Sequence, residues 1–381
     1  MTAPGRSTYL RPGFALALAL RLLTSSLAIV VPLYATSVLG AAAAEAGAFV
    51  VLLWVGNAAG VMTATVLIRD QSTSSVAGFV LLGASAAVLA SGTHYVPFWL
   101  EALGSGVGMG LPQPFLSAFM HLESRPEKPF RGIGLYSTAL GVGLVLGPLL
   151  AYGALELFGF DGVFGALALV CVLGAVGAIM GASSLEGRPR PPAPSPARWG
   201  AAFRKPGFRR AFTVNFFYAL LLPVFLSYGA ISAEARFGFS AEDALLLFAA
   251  VFLVSTGLRI LATSSRVGLS KLLLASTGLL LASTLCLGLA SAWPLFVFGM
   301  VLFSLPHAMV YPISSYFAFS SVNEADVVNA SYAFQASSGV AELLAPAAAV
   351  LLIPSVGVQG VFLLGAALAA TAFVVSATKP R

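Results

Sequence analysis

The sequence contains few charged residues, few cysteines and few histidines, and each shortage excludes a class of protein. Only 9% of the 381 residues are charged, whereas soluble domains carry about 25%, so the chain is not a water-soluble globule. Cys171 and Cys286 both lie in apolar runs and provide neither a disulfide framework nor a metal cluster. His94, His121 and His307 are scattered without partners at ligand spacing, so we expect no zinc site.

Signatures of catalysis are missing as well. The chain has no P-loop, so we expect no ATP hydrolysis. The glycine-rich segment 104–110 contains fragments of a dinucleotide-binding loop, but it lies inside an apolar run with no strand before it, which indicates helix packing. We therefore predict a protein that is not an enzyme and that holds neither a cofactor nor a metal.

Long apolar runs dominate the chain, of which 59% is hydrophobic. A helix that crosses a bilayer needs about 20 apolar residues, and these runs lack the alternation of a membrane barrel. We predict an all-α membrane protein with twelve transmembrane helices in two pseudo-symmetric six-helix bundles. The predicted spans are 14–39, 47–68, 76–90, 96–120, 132–158, 163–182, 211–233, 244–264, 272–290, 295–319, 328–353 and 361–377.

A segment rich in proline and arginine divides these spans into two sets of six. We predict an N-terminal six-helix bundle over 1–185, a cytosolic linker over 186–210 that is extended in its proline-rich part, and a C-terminal six-helix bundle over 211–381. Leu111-Pro112-Gln113 in span four recurs as Leu305-Pro306-His307 in span ten. Such repeats are typical of secondary transporters.

The basic residues predict the orientation of the chain. All but three of the 20 lysines and arginines fall in loops on one side of the spans, and cytoplasmic loops collect positive charge. We therefore expect a multi-pass protein of the plasma membrane, with both termini cytoplasmic. Because this charge is spread over several loops at a membrane surface, we expect no nucleic-acid partner, and we expect a monomer.

Span five contains a regularly spaced set of small residues. Gly134, Gly143, Gly147 and Pro148 follow the order G-x8-G-x3-G-P. Glycines allow close approach of a neighbouring helix and proline bends the span, so the pattern predicts a packed hinge. The segment resembles the span-five motif of the drug:proton antiporters in the major facilitator superfamily. The resemblance implies the major facilitator fold and export by antiport.

The chain departs from that superfamily at two places. The glycine pair that ends the span-five motif is replaced by Ala151-Tyr152. The loop motif G-x-x-x-D-R-x-G-R-R after span two keeps Asp70 but little else, and Arg266 belongs to a remnant of the motif after span eight. The resemblance therefore assigns a cytoplasmic gate to Asp70 and Arg266, with most of its usual charged partners missing.

Span eleven carries the ionisable residue Glu342 near its middle. An ionisable group inside a span costs about 2.5–3.5 kcal/mol on insertion scales, so it is a functional candidate by default. Tyr332, Gln335 and Glu342 share one helical face. A carboxyl group removed from water is protonated more readily, so we predict that Glu342 carries a coupled proton. A structural hydrogen bond and a substrate contact are the alternatives.

Span ten repeats this pattern with His307 and Tyr311 on one face. Histidine changes charge near neutral pH, so we predict that His307 relays protons with Glu342, a structural hydrogen bond being the alternative. Arg21 is predicted to face a central cavity, whereas Arg259 could instead reach the membrane surface. The residues predicted to bind substrate are Arg21, Asn57, Gln113, Asn215, Tyr218, Arg259, Tyr311, Tyr332 and Gln335.

Together these features predict a secondary active transporter that exports a small amphipathic or drug-like molecule in exchange for protons, by alternating access. The alternative is an organic-anion or metabolite transporter that uses Arg21 and Arg259. A membrane scaffold and a membrane-embedded enzyme are rivals of other classes. A scaffold needs no polar stripe inside the membrane, and the sequence lacks the reactive group that an enzyme needs. The expected partners are the substrate, protons and the lipid bilayer.

Overall fold

The computed structural model describes residues 10–68, 71–92, 95–113, 116, 129–182, 196–264, 267–323 and 326–378. Every long regular element in these ranges is an α-helix. The helices are α1 (Leu10–Ser37), α2 (Ala43–Thr63), α3 (Gln71–Ala90), α4 (Tyr95–Gly110), α5 (Pro129–Ala182), α6 (Pro196–Phe203), α7 (Pro206–Phe237), α8 (Ala241–Ser264), α9 (Leu269–Leu289), α10 (Trp293–Leu302), α11 (Ser304–Ser320) and α12 (Val327–Ala377). A π-helical turn, Ala64–Ile68, continues α2.

Nine segments of the described chain are long and apolar enough to cross a membrane. Two of them, in α5 and α12, are 43 and 49 residues long, about twice the length that one crossing needs. Each contains one glycine with a left-handed backbone, Gly159 (φ 68°) and Gly357 (φ 67°), which allows one helix to end and the next to begin. The predicted all-α membrane fold is confirmed. The count of twelve spans remains a prediction, because residues 117–128 lie outside the described ranges.

The positive-φ glycines recur at matching positions in the two halves of the sequence. Gly40 and Gly238 both have positive φ. They are separated by the same number of residues as Gly159 and Gly357. Backbone geometry therefore repeats along the chain, as expected of two related halves.

Predicted span ten is broken into α10 and α11 at Phe303. The break follows from Pro306, which has no N–H to donate to the carbonyl oxygen of Leu302 one turn earlier. The amide of Phe303 still bonds to the carbonyl oxygens of Gly299 and Met300, at 3.3 and 3.2 Å. The chain direction therefore changes by a bend rather than a loop, one turn before His307.

The linker is helical over Pro196–Phe203, whereas residues 183–195, which hold most of the proline-rich part expected to be extended, lie outside the described residues. Proline is favoured in the first turn of a helix because its missing N–H has no partner there in any case. Pro196 begins α6 and Pro206 begins α7. Phe203, near the end of α6, packs edge-on against Phe208 and Phe212 of α7, with ring centroids 5.1 and 4.7 Å apart. Aromatic contacts thus anchor the linker helix.

The chain divides into two compact units. Unit one comprises residues 1–27 and 55–193, and unit two comprises 28–54 and 194–381. The second part of α1 and the first part of α2 therefore belong to unit two.

Unit one brings helices together at glycines. A β carbon at Gly56 would overlap the carbonyl oxygen of Leu103, and one at Gly60 would overlap that of Val107. Gly110 of α4 approaches the backbone of α2 in the same way. Helices α2 and α4 therefore pack backbone to backbone, as small residues permit.

Unit two is filled instead by aromatic rings. The rings of Phe225 and Phe303 stack with centroids 3.8 Å apart, and Phe248 packs edge-on against Phe225 at 5.6 Å. Phe208 and Phe334 are fully buried in a second cluster at the ends of α7, α11 and α12. These rings fix the three helices that carry the polar residues described next.

Candidate functional site

Three helices of unit two, α7, α11 and α12, bring polar side chains together inside an apolar surrounding. Each helix contributes two residues, one helical turn apart, so each pair shares a face. We call these residues the polar cluster. They are Asn215, Tyr218, His307, Tyr311, Gln335 and Ser338.

Three side-chain hydrogen bonds join the helices of the polar cluster pairwise. The Asn215 amide donates to Ser338 Oγ at 2.8 Å, which links α7 to α12. Tyr218 Oη and His307 Nδ1 lie 2.6 Å apart and link α7 to α11. The Gln335 amide donates to the Tyr311 hydroxyl and closes the triangle between α12 and α11. Five of these six residues were predicted as site residues, and the structure brings each of them into a hydrogen bond between two helices of unit two.

His307 lies inside this network and is only 3% exposed. The rings of Phe252 and Phe303 face its imidazole, with centroids 5.3 and 6.1 Å away. The Tyr218 hydroxyl is hydrogen-bonded to Nδ1 of His307. An imidazole held in this way has a fixed ring orientation, which suits either a proton relay or a neutral hydrogen-bonding role.

Arg259 is buried, being 7% exposed, and is directed at the backbone of α11. Its Nε donates to the carbonyl oxygen of Ala308 at 3.2 Å, and Nη2 donates to that of His307 at 3.0 Å. The Ala308 carbonyl lacks its usual helical donor because Pro312 has no N–H. Arg259 therefore satisfies a carbonyl that proline leaves without a backbone partner, beside the polar cluster.

Glu342 is half-buried on α12, on the same face as Gln335 and Ser338. Gln335 and Tyr311 are hydrogen-bonded and so lie at about the same level. Glu342 lies two turns after Gln335 along α12, about 10 Å, and His307 lies one turn before Tyr311 along α11, about 6 Å. Because α11 and the first part of α12 run antiparallel, Glu342 lies within about one turn of the level of His307. The predicted site residue Tyr332 belongs to α12, but its side chain lies outside the described part of the structure.

Three further predicted residues lie in unit one. The Gln113 amide donates to Asn57 Oδ1 at 3.1 Å, and Asn57 is 1% exposed. Arg21 is half-buried on α1, and its Nε is buried without a hydrogen-bond partner. The described residues of unit one thus include a bonded polar pair and a cation with unused donor capacity.

Comparison with known families now identifies the type of protein. A model of the Major Facilitator Superfamily matches residues 13–264, which is well over half of the chain. The chain belongs to the major facilitator superfamily. The resemblance to this superfamily is thereby confirmed, whereas membership of its drug:proton antiporter group stays a prediction.

Solved transporter structures share this fold at low sequence identity. A POT family transporter in complex with a thioalcohol-conjugated peptide has a TM-score of 0.75 at 12% identity, covering 96% of this chain and 94% of that chain. The human organic anion transporter MFSD10 (TETRAN) gives 0.69 at 17%, covering 98% and 100%. The nucleoside transporter NupG gives 0.70 at 14%, covering 97% and 100%. No protein of curated function matches the sequence significantly.

This chain therefore has the major facilitator fold and is a membrane transporter of that kind.

The predicted hinge motif packs α5 against α1. A β carbon at Gly143 would lie 2.7 Å from the carbonyl oxygen of Leu18, and one at Gly147 would lie 2.6 Å from that of Leu22. Gly134 and Pro148 belong to the same helix. The predicted gate residues Asp70 and Arg266 lie outside the described residues.

Sequence reasoning missed two contributions to the site of this superfamily member. Ser338 lies one turn after Gln335 on the polar face of α12, so the helical spacing already used for Glu342 could have found it. The second contribution is the backbone carbonyl of Ala308, which Arg259 binds. Its signal in the sequence was weaker: Pro312, one turn later, has no N–H to donate to that carbonyl.

Proposed function

We propose that this chain is a proton-coupled antiporter, which exports a small amphipathic molecule by alternating access. It acts as a monomer in the plasma membrane with both termini in the cytoplasm. Protons move inward through one site as the substrate moves outward, so a titratable group inside the membrane must exchange a proton when the substrate binds or leaves.

The observation that carries the proposal is the position of Glu342. It is half-buried inside a helix of spanning length, on the face that contributes Gln335 and Ser338 to the polar cluster. A carboxyl group at such a position is expensive unless it is used, and intramembrane carboxylates commonly serve as proton carriers. His307, within about one turn of its level, is the second titratable group that could share the proton.

The span-five motif supports the antiport direction. Gly143 and Gly147 allow α5 to contact the backbone of α1 closely, as the resemblance to the drug:proton antiporters leads one to expect. The half-buried rings of Phe212 and Phe216 beside the polar cluster favour a ligand with an apolar body. These features support an amphipathic substrate over a purely polar metabolite.

The experiment is flux into proteoliposomes with the purified full-length protein. Ethidium serves as the probe because it is amphipathic and permanently charged, so an acidic lumen does not trap it. We expect an acidic lumen to drive ethidium accumulation by the wild type but not by Glu342→Gln. Glu156→Gln, which changes an exposed glutamate of unit one, is the matched control and should behave as the wild type. Wild-type uptake that does not depend on the pH gradient, or gradient-driven uptake that persists in Glu342→Gln, would contradict the proposal.

A second candidate function, organic-anion transport, rests on Arg21. Its buried Nε has no partner within the described structure, so a carboxylate ligand could use that donor. In this case phenylbutyrate uptake should fall in Arg21→Ala and recover in part in Arg21→Lys, with ethidium uptake unchanged. Equal loss of both activities would count against anion recognition by Arg21.

A further inference from the structure

We infer that Asn215 recognises a hydrogen-bond donor on the transported molecule, so that the substrate class is an amphipathic molecule bearing an N–H or O–H group. The inference rests on the proposed transport function and names the substrate chemistry of the same site. It is carried by one atom, the side-chain carbonyl oxygen Oδ1 of Asn215.

The orientation of the Asn215 amide follows from its neighbour. The Ser338 hydroxyl donates its single proton to the carbonyl oxygen of Phe334 at 3.1 Å. Ser338 Oγ can therefore only accept from Asn215, at 2.8 Å, and the group that donates to it must be the amide nitrogen Nδ2. The carbonyl oxygen of the amide is thereby directed away from Ser338.

That carbonyl oxygen has no hydrogen-bond partner. Asn215 is 1% exposed, and its Oδ1 is buried without a donor within reach. A buried acceptor without a donor raises the free energy of the state that contains it. A ligand that supplies a donor removes this cost, whereas a carboxylate or other anion brings further acceptors and increases it.

The surroundings of Asn215 match a donor-bearing amphipath. Phe212 and Phe216 flank Asn215 on α7, and their half-buried rings stack with centroids 6.0 Å apart. Arg259, a cation next to the polar cluster, directs two donor groups at backbone carbonyls of α11. The cluster thus offers an apolar wall beside an unused acceptor.

A purely structural role for Asn215 makes a different prediction. If the residue only joins α7 to α12, breaking the bond from either end has the same consequence for every ligand. If Asn215 reads the ligand, only changes that remove its carbonyl oxygen alter the preference between ligands. Ser337→Ala removes a neighbouring hydroxyl of α12 that bonds only within its own helix and leaves the Asn215–Ser338 bond in place, so it is the matched control.

The test is equilibrium binding to the full-length protein in detergent at neutral pH, without a pH gradient. Phenylbutyl-dimethylammonium carries one N–H donor, and phenylbutyl-trimethylammonium carries none but has the same charge and apolar body. We expect the wild type to bind the first about tenfold more tightly. Phenylbutanol, a neutral donor, should compete, whereas phenylbutyrate should not.

Three variants complete the test. Asn215→Leu should bind the two ammonium probes equally, whereas Ser337→Ala, which leaves Asn215 and Ser338 in place, and Asn215→Asp, which keeps an acceptor oxygen, should retain the preference. Equal binding of the two probes by the wild type, no binding of either probe, or a preference that survives in Asn215→Leu would overturn the inference. If the two probes bind equally while gradient-driven ethidium flux still depends on Glu342, the inference fails and the proposed function stands. If the wild type prefers the probe with an N–H donor but shows no gradient-driven flux, only the proposed function is overturned.

Discussion

The helix contacts seen in the described residues of the two units differ in emphasis. In unit one, α2 meets α4 and α5 meets α1 at glycines, so that backbone contacts backbone. In unit two, aromatic rings fill the core and side-chain hydrogen bonds join α7, α11 and α12. Close backbone packing leaves little room for side chains to rearrange, whereas a network of long polar side chains can exchange partners.

The difference assigns different roles to the two units. Unit one packs helices closely at glycines, and its polar residues include the bonded pair Asn57–Gln113 and Arg21, whose Nε has no partner in the described part of the chain. Unit two holds both the carboxyl group Glu342 and the unused acceptor of Asn215. The proposals made above put recognition and proton exchange mainly in unit two, and the following substitutions test the contrast in packing.

The largest effect is expected at the glycine contacts of unit one. Gly60→Ala places a methyl group against the carbonyl oxygen of Val107, and such overpacking of backbone costs about 3 kcal/mol. The thermal unfolding midpoint of the purified protein should fall markedly. Gly153→Ala, at a position of α5 with open space around it, should be neutral or slightly stabilising. Equal midpoints for the two variants would show that unit one does not depend on backbone contact.

A smaller loss of stability is expected at Arg259 in unit two. Arg259→Ala removes both donors from the α11 carbonyls, at a cost of about 2 kcal/mol. In a Pro312→Ala background the Ala308 carbonyl regains a backbone donor, so the same substitution should cost less. A double-mutant cycle measured by chemical unfolding gives this coupling. Strictly additive effects would mean that Arg259 does not compensate for the proline.

The bond between Tyr218 and His307 should contribute about 1 kcal/mol. Tyr218→Phe removes the hydroxyl from His307 Nδ1 without changing the ring. Its thermal midpoint should therefore fall by a small but measurable amount. Tyr152→Phe in unit one is the matched control and should leave the midpoint unchanged. A similar shift in both variants would mean that the loss of a tyrosine hydroxyl acts through the bilayer or detergent and not through the bond to His307.

The smallest effect is expected at the end of α1. The hydroxyls of Thr36 and Ser37 both contact the carboxyl group of Glu234 on α7. Because this contact lies near the surface, Thr36→Val should cost only about 0.5 kcal/mol. Thr371→Val, which loses only a bond within its own helix, provides the comparison. A loss as large as that of Arg259→Ala would show that partly exposed contacts also hold unit two together.

Much of the fold could be predicted from the sequence because lipid leaves few options. Apolar runs near 20 residues imply helices, and the glycine motif of span five implied close packing, which Gly143 and Gly147 show against α1. Helical spacing placed Gln335 on the same face as Glu342. The interval from Pro148 to Gly159, repeated from Pro346 to Gly357, was a further signal of duplication that sequence reasoning overlooked.

The partners of polar residues could not be predicted in the same way. The carbonyl oxygens that Arg259 binds could not be anticipated, because sequence spacing on one helix does not reveal acceptors on another. Its role in ligand binding stays a prediction. The break at Phe303 depends on how Pro306 is accommodated by neighbouring helices. Whether Nδ2 or Oδ1 of the Asn215 amide faces Ser338, and so whether Oδ1 stays unused, depends on Ser338 and Phe334, residues far away in the sequence.

The most direct test of the central claim is the proton exchanged when a ligand binds to the purified protein. Calorimetric titration with ethidium at neutral pH, in two buffers with different ionisation enthalpies, measures this proton. The account predicts release of up to about one proton per ethidium by the wild type and by Glu156→Gln. It predicts no release by Glu342→Gln with an unchanged thermal midpoint. Heats of binding that do not depend on the buffer in the wild type, or undiminished release in Glu342→Gln, would contradict proton coupling through Glu342.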